Sequence, residues 1–404
     1  MSSVLKPENP DQLKDAVAWA VGNKAPVEVV GTGTKSPIGR IMQTEASIDV
    51  SGLVGITLYE PEELVLSARA GTPLSEIEAA LAANHQEMAF EPPDLSGLIG
   101  TADAGTLGGL IAANLAGPRR LKAGAARDHF LGFNAVTGRG EAIKSGSRVM
   151  KNVTGYDLPK ILAGSWGTLG IMSDITIKVL PAAETQITLA LAGLDGAAAT
   201  RVMSAALRSS CEVSGAAYLP QNIASASRVV DVSAAAASLT MLRLEGIEPS
   251  VEFRATRLKE LLSSFGEVIR LEAAASRSVW IEVRDVHYLG NDAGRIVWRL
   301  SVPPTEGANV LSAIGQTGDV RGFLDWAGGL IWLDMPVSDH GSAQLVRGAF
   351  AGTTGHATLI RAPQALRAAL PVFEPQMAAL QGLTSRLKDA FDPYGILNPG
   401  RIYA

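Results

Sequence analysis

Apolar positions recur at three- and four-residue steps over residues 11–21, where Leu13, Val17 and Val21 share one face, and the spacing predicts a helix. A second helix is expected to open at Thr72-Pro73, with Leu74, Ile77 and Leu81 on its inner face and proline at a favourable first position. β-Branched runs predict strands at 27–30, 55–59, 63–69, 131–137 and 171–180. Pro181-Ala182-Ala183-Glu184 marks a boundary. Beyond it, strands are expected near 186–192, 238–244, 267–271, 279–284, 296–302 and 329–334, and helices near 197–209, 250–264 and 306–314. That alternation implies an open sheet covered by helices. The tail from 374 is amphipathic, with Met377, Leu380, Leu383, Leu387 and Phe391 in helical register, and Pro393 ends it. The chain shows no internal repeat.

Composition narrows the class. A chain of 404 residues exceeds one compact core, so at least two domains are expected. Hydrophobic residues make up 47% and charged residues 19%, a globular balance. The net charge of −5 argues against nucleic acid as the main partner. No apolar run reaches the length of a membrane span, and the N-terminus lacks a signal peptide's apolar core, so a cytoplasmic location is expected.

Three glycine clusters carry the candidate chemistry: Gly31-Thr32-Gly33-Thr34-Lys35-Ser36, Gly105-Thr106-Leu107-Gly108-Gly109, and Gly164-Ser165-Trp166-Gly167-Thr168-Leu169-Gly170. Together they point to backbone closing on one large anion, because glycine tolerates positive φ and successive N–H groups form an anion-binding concavity. The first is not a Walker A loop, since Thr34 stands where glycine must precede the lysine. Nor is it a Rossmann fingerprint, since Ser36 takes the third glycine's place. The second precedes the short apolar stretch Leu110–Leu115, with Thr106 as a candidate cap, so its glycines are expected at a helix N-terminus open to phosphate. The basic run Arg119-Arg120-Leu121-Lys122 is either a solvated face or a partner for a pyrophosphate or carboxylate. The third cluster reads as a turn entering a strand.

Cys211 is the only cysteine, so the chain can form no internal disulfide and hold no four-cysteine iron–sulfur cluster. A buried structural thiol is its expected role. The five histidines show no metal-ligand spacing, and no metal site is expected.

In order along the chain, Asn9–Leu13, Val27–Gly39, Ala68–Leu74, Thr106–Gly109, Lys151–Leu158, Gly164–Ile171 and Phe391–Arg401 resemble the FAD-linked oxidases, the family of vanillyl-alcohol oxidase and p-cresol methylhydroxylase. Within it, Phe90–Asp94 and Gly355–Arg361 are similar to the FAD-binding subunits of bacterial glycolate oxidase complexes. The resemblance implies an α+β fold: a two-part FAD-binding domain over residues 1–183, an α/β cap over 184–345 and a C-terminal segment, 346–404, returning to the FAD domain. It implies FAD bound by Gly31, Thr32, Gly33, Thr34, Lys35, Thr106, Gly108, Gly109, Gly167, Gly170, Ile171 and Asn398. With no His or Cys beside the first loop, non-covalent FAD is expected.

For substrate chemistry the expected residues are His356, as acceptor of a hydroxyl proton, and Arg361, as a two-point carboxylate ligand. The implied activity is oxidation of glycolate or another short 2-hydroxyacid. The implied partners are a second FAD-containing catalytic subunit and an iron–sulfur subunit, through which the chain would meet the inner membrane. The alternative is an accessory flavin subunit, with substrate oxidised on another chain. Tyr156 and Trp166 are expected to be packing residues.

Overall fold

The computed structural model describes residues 3–146, 156–290, 292–338 and 341–403. Helix Pro10–Asn23 buries Leu13, Ala16, Val17 and Ala20 and is capped by Asn9, whose side chain accepts from Gln12 N. It packs on a three-stranded parallel sheet, Ser3–Leu5, Ala46–Asp49 and Val27–Val30. A five-stranded antiparallel sheet follows, in the order Ile56–Glu60, Val65–Arg69, Gly170–Lys178, Phe130–Thr137, Ala142–Gly146. Helix Leu74–Ala82 buries Leu74, Ile77 and Leu81 against it, as the periodicity predicts.

The remainder builds an eight-stranded antiparallel sheet in the order Val268–Leu271, Thr185–Ala192, Leu239–Gly246, Gly215–Leu219, Arg321–Asp325, Leu330–Pro336, Arg295–Ser301, His356–Arg361. Strand alternation divides its side chains. Leu189, Leu242, Trp298 and Leu333 join a core with helices Gly196–Leu207 and Glu248–Leu262. Ala217, Met241, Phe323 and Trp332 share a core with Phe90, Leu107 and Leu110 of the glycine-rich half. The sheet therefore closes over that half with one face.

Two expectations change. Residues 279–284 are helical, within Ala273–Arg284. Ser276, Val279, Trp280 and Val283 fall three and four apart and are buried, and the preceding alanines favour helix over the β propensity of valine and isoleucine. The return of the chain also begins later than residue 346, because His356–Arg361 pairs with Arg295–Ser301 at the sheet edge. Only near Ile396–Asn398 does the backbone rejoin the parallel sheet, with Val27 N donating to Ile396 O at 2.8 Å and Asn398 N to Val27 O at 3.0 Å. Helix Ala378–Phe391 leads there and ends before Pro393, as expected. Among the described residues, no helix is long and apolar enough to cross a membrane.

Candidate functional site: a cofactor cleft and an arginine pair

Strand Val27–Val30 delivers the Gly31–Ser36 loop into an open cleft. Gly31, Thr32, Gly33, Thr34, Lys35, Thr106, Gly108, Gly109, Gly167, Gly170, Ile171 and Asn398 all line it. The loop, helix Leu107–Ala113, the Trp166–Gly167 turn and the C-terminal tail thus converge on one space. Val29, Ala70, Ala112, Trp166, Met172 and Arg401 line it too and were not among the expected residues. Of these, Arg401 was the most legible, closing the Asn398-Pro399-Gly400-Arg401 motif.

Close packing explains the glycines at two positions. A Cβ on Gly31 would lie 2.8 Å from Thr106 Oγ1, and one on Gly108 would lie 2.8 Å from Ala70 O. Gly33, by contrast, has open space but a φ of 74°, which a side chain would strain. The N–H groups of Thr32, Gly33, Thr34 and Lys35 find no acceptor among the described residues. Lys35 Nζ donates to Ala104 O at 3.1 Å and has no carboxylate within ion-pair distance among the described residues. Burial pulls its pKa down to about 8, against the opposing charges of Asp94 and Asp103. Among the described residues the lining holds two cations, Lys35 and Arg401, and no carboxylate. Free amides, an unpaired ammonium and an acid-free wall suit a diphosphate.

The second cluster works differently from expectation. Thr106 does cap helix Leu107–Ala113, accepting from Gly109 N at 3.2 Å. Leu107 N and Gly108 N, however, donate to Thr72 O and Ala70 O, so this helix start is closed and contributes shape rather than free donors. Thr32 is likewise committed, its hydroxyl donating to Asp103. Asn398 staples the cleft: its Oδ1 accepts from Val29 N and its Nδ2 donates to Trp166 O, each at 2.7 Å. Trp166 packs on Phe373, as a packing residue should, whereas Tyr156 is 86% exposed. Lys151–Gly155 lie outside the described residues. Cys211 is buried and unpaired.

His356 and Arg361 do not form a pair. They begin and end one strand, roughly 16 Å apart at ~3.3 Å per residue. Arg361 Nη1 donates to the carbonyls of Leu98 (2.6 Å) and Gly290, Nη2 lies 3.5 Å from Arg295 O, and Nε is buried, so the guanidinium is turned into the protein rather than toward a substrate. His356 is exposed; partial desolvation, then Arg299 and Arg120 against Glu374, pull its pKa below the usual imidazole value. Its imidazole is therefore neutral near pH 7 and free to accept a proton. Around it stand residues that sequence reading did not bring together. Arg299 and Arg120 lie over the Trp326 ring, 5.1 and 4.2 Å from its centroid, and Trp326 Nε1 donates to Gly117 O at 3.0 Å.

Comparison with known proteins assigns the family. Residues 1–146 match the model of the FAD binding domain. Along 97% of both chains, the sequence is 32% identical to glycolate oxidase subunit GlcE of Escherichia coli (strain K12). The chain belongs to the GlcE family of FAD-linked oxidoreductases. Its cofactor is FAD. Glycolate oxidase subunit GlcD of Bacillus subtilis (strain 168) is 30% identical over 46% of this chain and 38% of its own. In fold, p-cresol methylhydroxylase with substrate bound superimposes with a TM-score of 0.69 over 99% of this chain and 88% of that one, at 14% identity.

Proposed function

We propose that this chain is the FAD-binding subunit of a short 2-hydroxyacid dehydrogenase of the glycolate oxidase type. The observation that carries the reading is the cleft itself, with a row of N–H donors from Thr32 to Lys35 that find no acceptor among the described residues and the Lys35 ammonium beside them, in a chain similar to GlcE over nearly its whole length. Those donors and the ammonium would hold the diphosphate of FAD, with Thr106, Gly108 and Gly109 shaping the wall opposite and Gly167, Gly170, Ile171 and Asn398 the far side. Among the described residues no histidine or cysteine lines the cleft, which supports the reading of non-covalent FAD. Bound FAD supplies the two-electron acceptor that a 2-hydroxyacid needs to become a 2-oxoacid. In this reading neutral His356 would take the hydroxyl proton.

Electrons must then leave the chain. A single cysteine cannot ligate a four-cysteine cluster, which fits an onward carrier on another subunit. Names such as GlcE and GlcD identify subunits of glycolate oxidase, and we read this chain as one member of such an assembly, with a second flavin subunit and an iron–sulfur subunit. Helix Ala378–Phe391 supports that reading: it has no buried residue and exposes Leu380 and Leu383, beside exposed Met377. We read three units of sequence as serving this function: 1–183 for FAD, 184–345 for the cap, and 346–404 for a segment that adds the edge strand His356–Arg361 to the cap sheet before rejoining the FAD side near Ile396–Asn398.

The test is acid precipitation of the purified protein, followed by a flavin assay of pellet and supernatant. FAD in the supernatant at about one per chain supports the reading. Flavin in the denatured pellet overturns the non-covalent assignment.

A further inference from the structure

Arg299 rises from the middle of strand Arg295–Ser301, on the face turned toward the glycine-rich half, directly opposite Thr358. It is partly buried, yet it makes no hydrogen bond or ion pair with any described residue. Arg120, from the stretch that leaves the cleft-lining helix eight residues after Ala112, is equally unpaired. Both guanidinium groups gather on one indole, Trp326. Two like charges with no ion-pair partner among the described residues, only the more distant charges of Asp128 on Arg120 and Asp325 on Arg299, are an expensive arrangement unless an anion completes it. Burial and Arg120 pull the Arg299 pKa down to about 10, which reports that tension. The acid whose charge reaches Arg299, Asp325, forms no ion pair with it, and burial raises its pKa to about 7.

The backbone bears the cost of the arrangement as well. Trp326 and Ala327 both adopt left-handed φ values, 50° and 55°, which aromatic and alanine residues rarely do. The turn is fixed by Asp325 Oδ1, which accepts from Trp326 N at 2.7 Å, and by the Trp326–Gly117 hydrogen bond. The strain sets the indole where both arginines can lie on it, and cation–π contact orients planar guanidinium groups while leaving their N–H edges free. His356 shares this face of the sheet, two positions along its strand from Thr358.

We infer that Arg299 and Arg120, held on Trp326, form the carboxylate subsite for a small 2-hydroxyacid, with His356 beside the hydroxyl end. This rests on the hydroxyacid reading above and moves the carboxylate ligand from Arg361 to Arg299. The arginine edges are the donors that a planar carboxylate accepts in two-point fashion.

Calorimetric titration of the FAD-loaded chain with oxalate, a planar two-carbon dianion that cannot be oxidised as a hydroxyacid, tests the site. Saturable binding is expected, weakened at least tenfold in Arg299→Met and in Arg120→Met, and partly restored in Arg299→Lys. Inorganic phosphate should bind at least tenfold more weakly than oxalate. Arg120 is exposed, so its variant reports on the site even where Arg299→Met folds poorly. Unchanged oxalate affinity in both methionine variants overturns the assignment, as does phosphate binding as tightly as oxalate. An Arg299→Met chain that keeps its oxalate affinity but shifts its flavin potential also overturns it, since the guanidinium would then serve the flavin. Oxalate binding without any reduction of the flavin by glycolate would leave the subsite standing and remove the hydroxyacid chemistry, so the two failures are separable.

Discussion

Arg243 and Glu91 form a two-bond ion pair, with the Arg243 guanidinium donating to the Glu91 carboxylate at 2.7 and 2.9 Å. It ties the eight-stranded sheet to the glycine-rich half. Arg243 is 1% exposed, and Arg119 and Glu245 extend the pair into a network, with Arg119 Nη2 at 2.8 Å from Glu245 Oε1. Burial alone would raise the Glu91 pKa, but Arg243 and Arg119 overcome it and hold the carboxyl at about 2.

Breaking this pair leaves the buried Arg243 charge with Glu245 alone, at 3.3 Å. Glu91→Gln is expected to destabilise the protein by about 3–5 kcal/mol, read from urea unfolding. The wild type should also lose stability in acid. A folded pKa of about 2, below the usual carboxylate value of 4.5, contributes stability that is fully present above pH 4.5 and fades as pH falls toward 2. Glu91→Gln should lack that part of the acid slope, and an identical slope in both proteins would remove Glu91 from this role.

Gly33→Val places a β-branched residue at a φ of 74° and projects it into the cleft. The soluble protein should retain its circular dichroism and lose most of its FAD. Full flavin content in a folded Gly33→Val chain would move the diphosphate site elsewhere.

Lys35 makes cofactor affinity pH-dependent. Its pKa of about 8 in the free cleft means that above this pH an anion must recruit a proton on binding. FAD affinity should therefore fall between pH 7 and 9, approaching a tenfold loss per pH unit at the upper end. Lys35→Met should bind weakly throughout, with a flatter profile. Equilibrium dialysis measures both.

Leu380→Lys combined with Leu383→Lys adds charge to a helix that has no buried residue. FAD content and thermal stability should stay within error of the wild type, while co-purification with the partner subunits falls sharply. Unimpaired assembly would place the interface on another surface.

The extent to which the site could be read from sequence followed from how local each feature was. The Gly31–Lys35 loop was legible because strand, glycines and lysine are contiguous, and so was the cap at Thr106. The closed helix start at Leu107 was not, since its acceptors, Ala70 and Thr72, come from a turn some thirty-five residues earlier. Residues 279–284 misled because their β-branched side chains mask a three- and four-residue burial pattern. Arg361 looked available in sequence, and only the tertiary fold brings the carbonyls of Leu98 and Gly290 onto it. Arg299 and Trp326 carry no local signal at all, because sheet pairing and one positive-φ turn bring them together.

The most direct measurement of the central claim is anaerobic addition of glycolate to the purified, FAD-replete chain while the visible flavin absorbance is followed. The wild type should bleach, and bleaching should be strongly slowed in His356→Asn and in Arg299→Met. Flavin that stays fully oxidised in a folded, FAD-saturated wild-type chain would contradict that claim and assign substrate oxidation to a partner subunit.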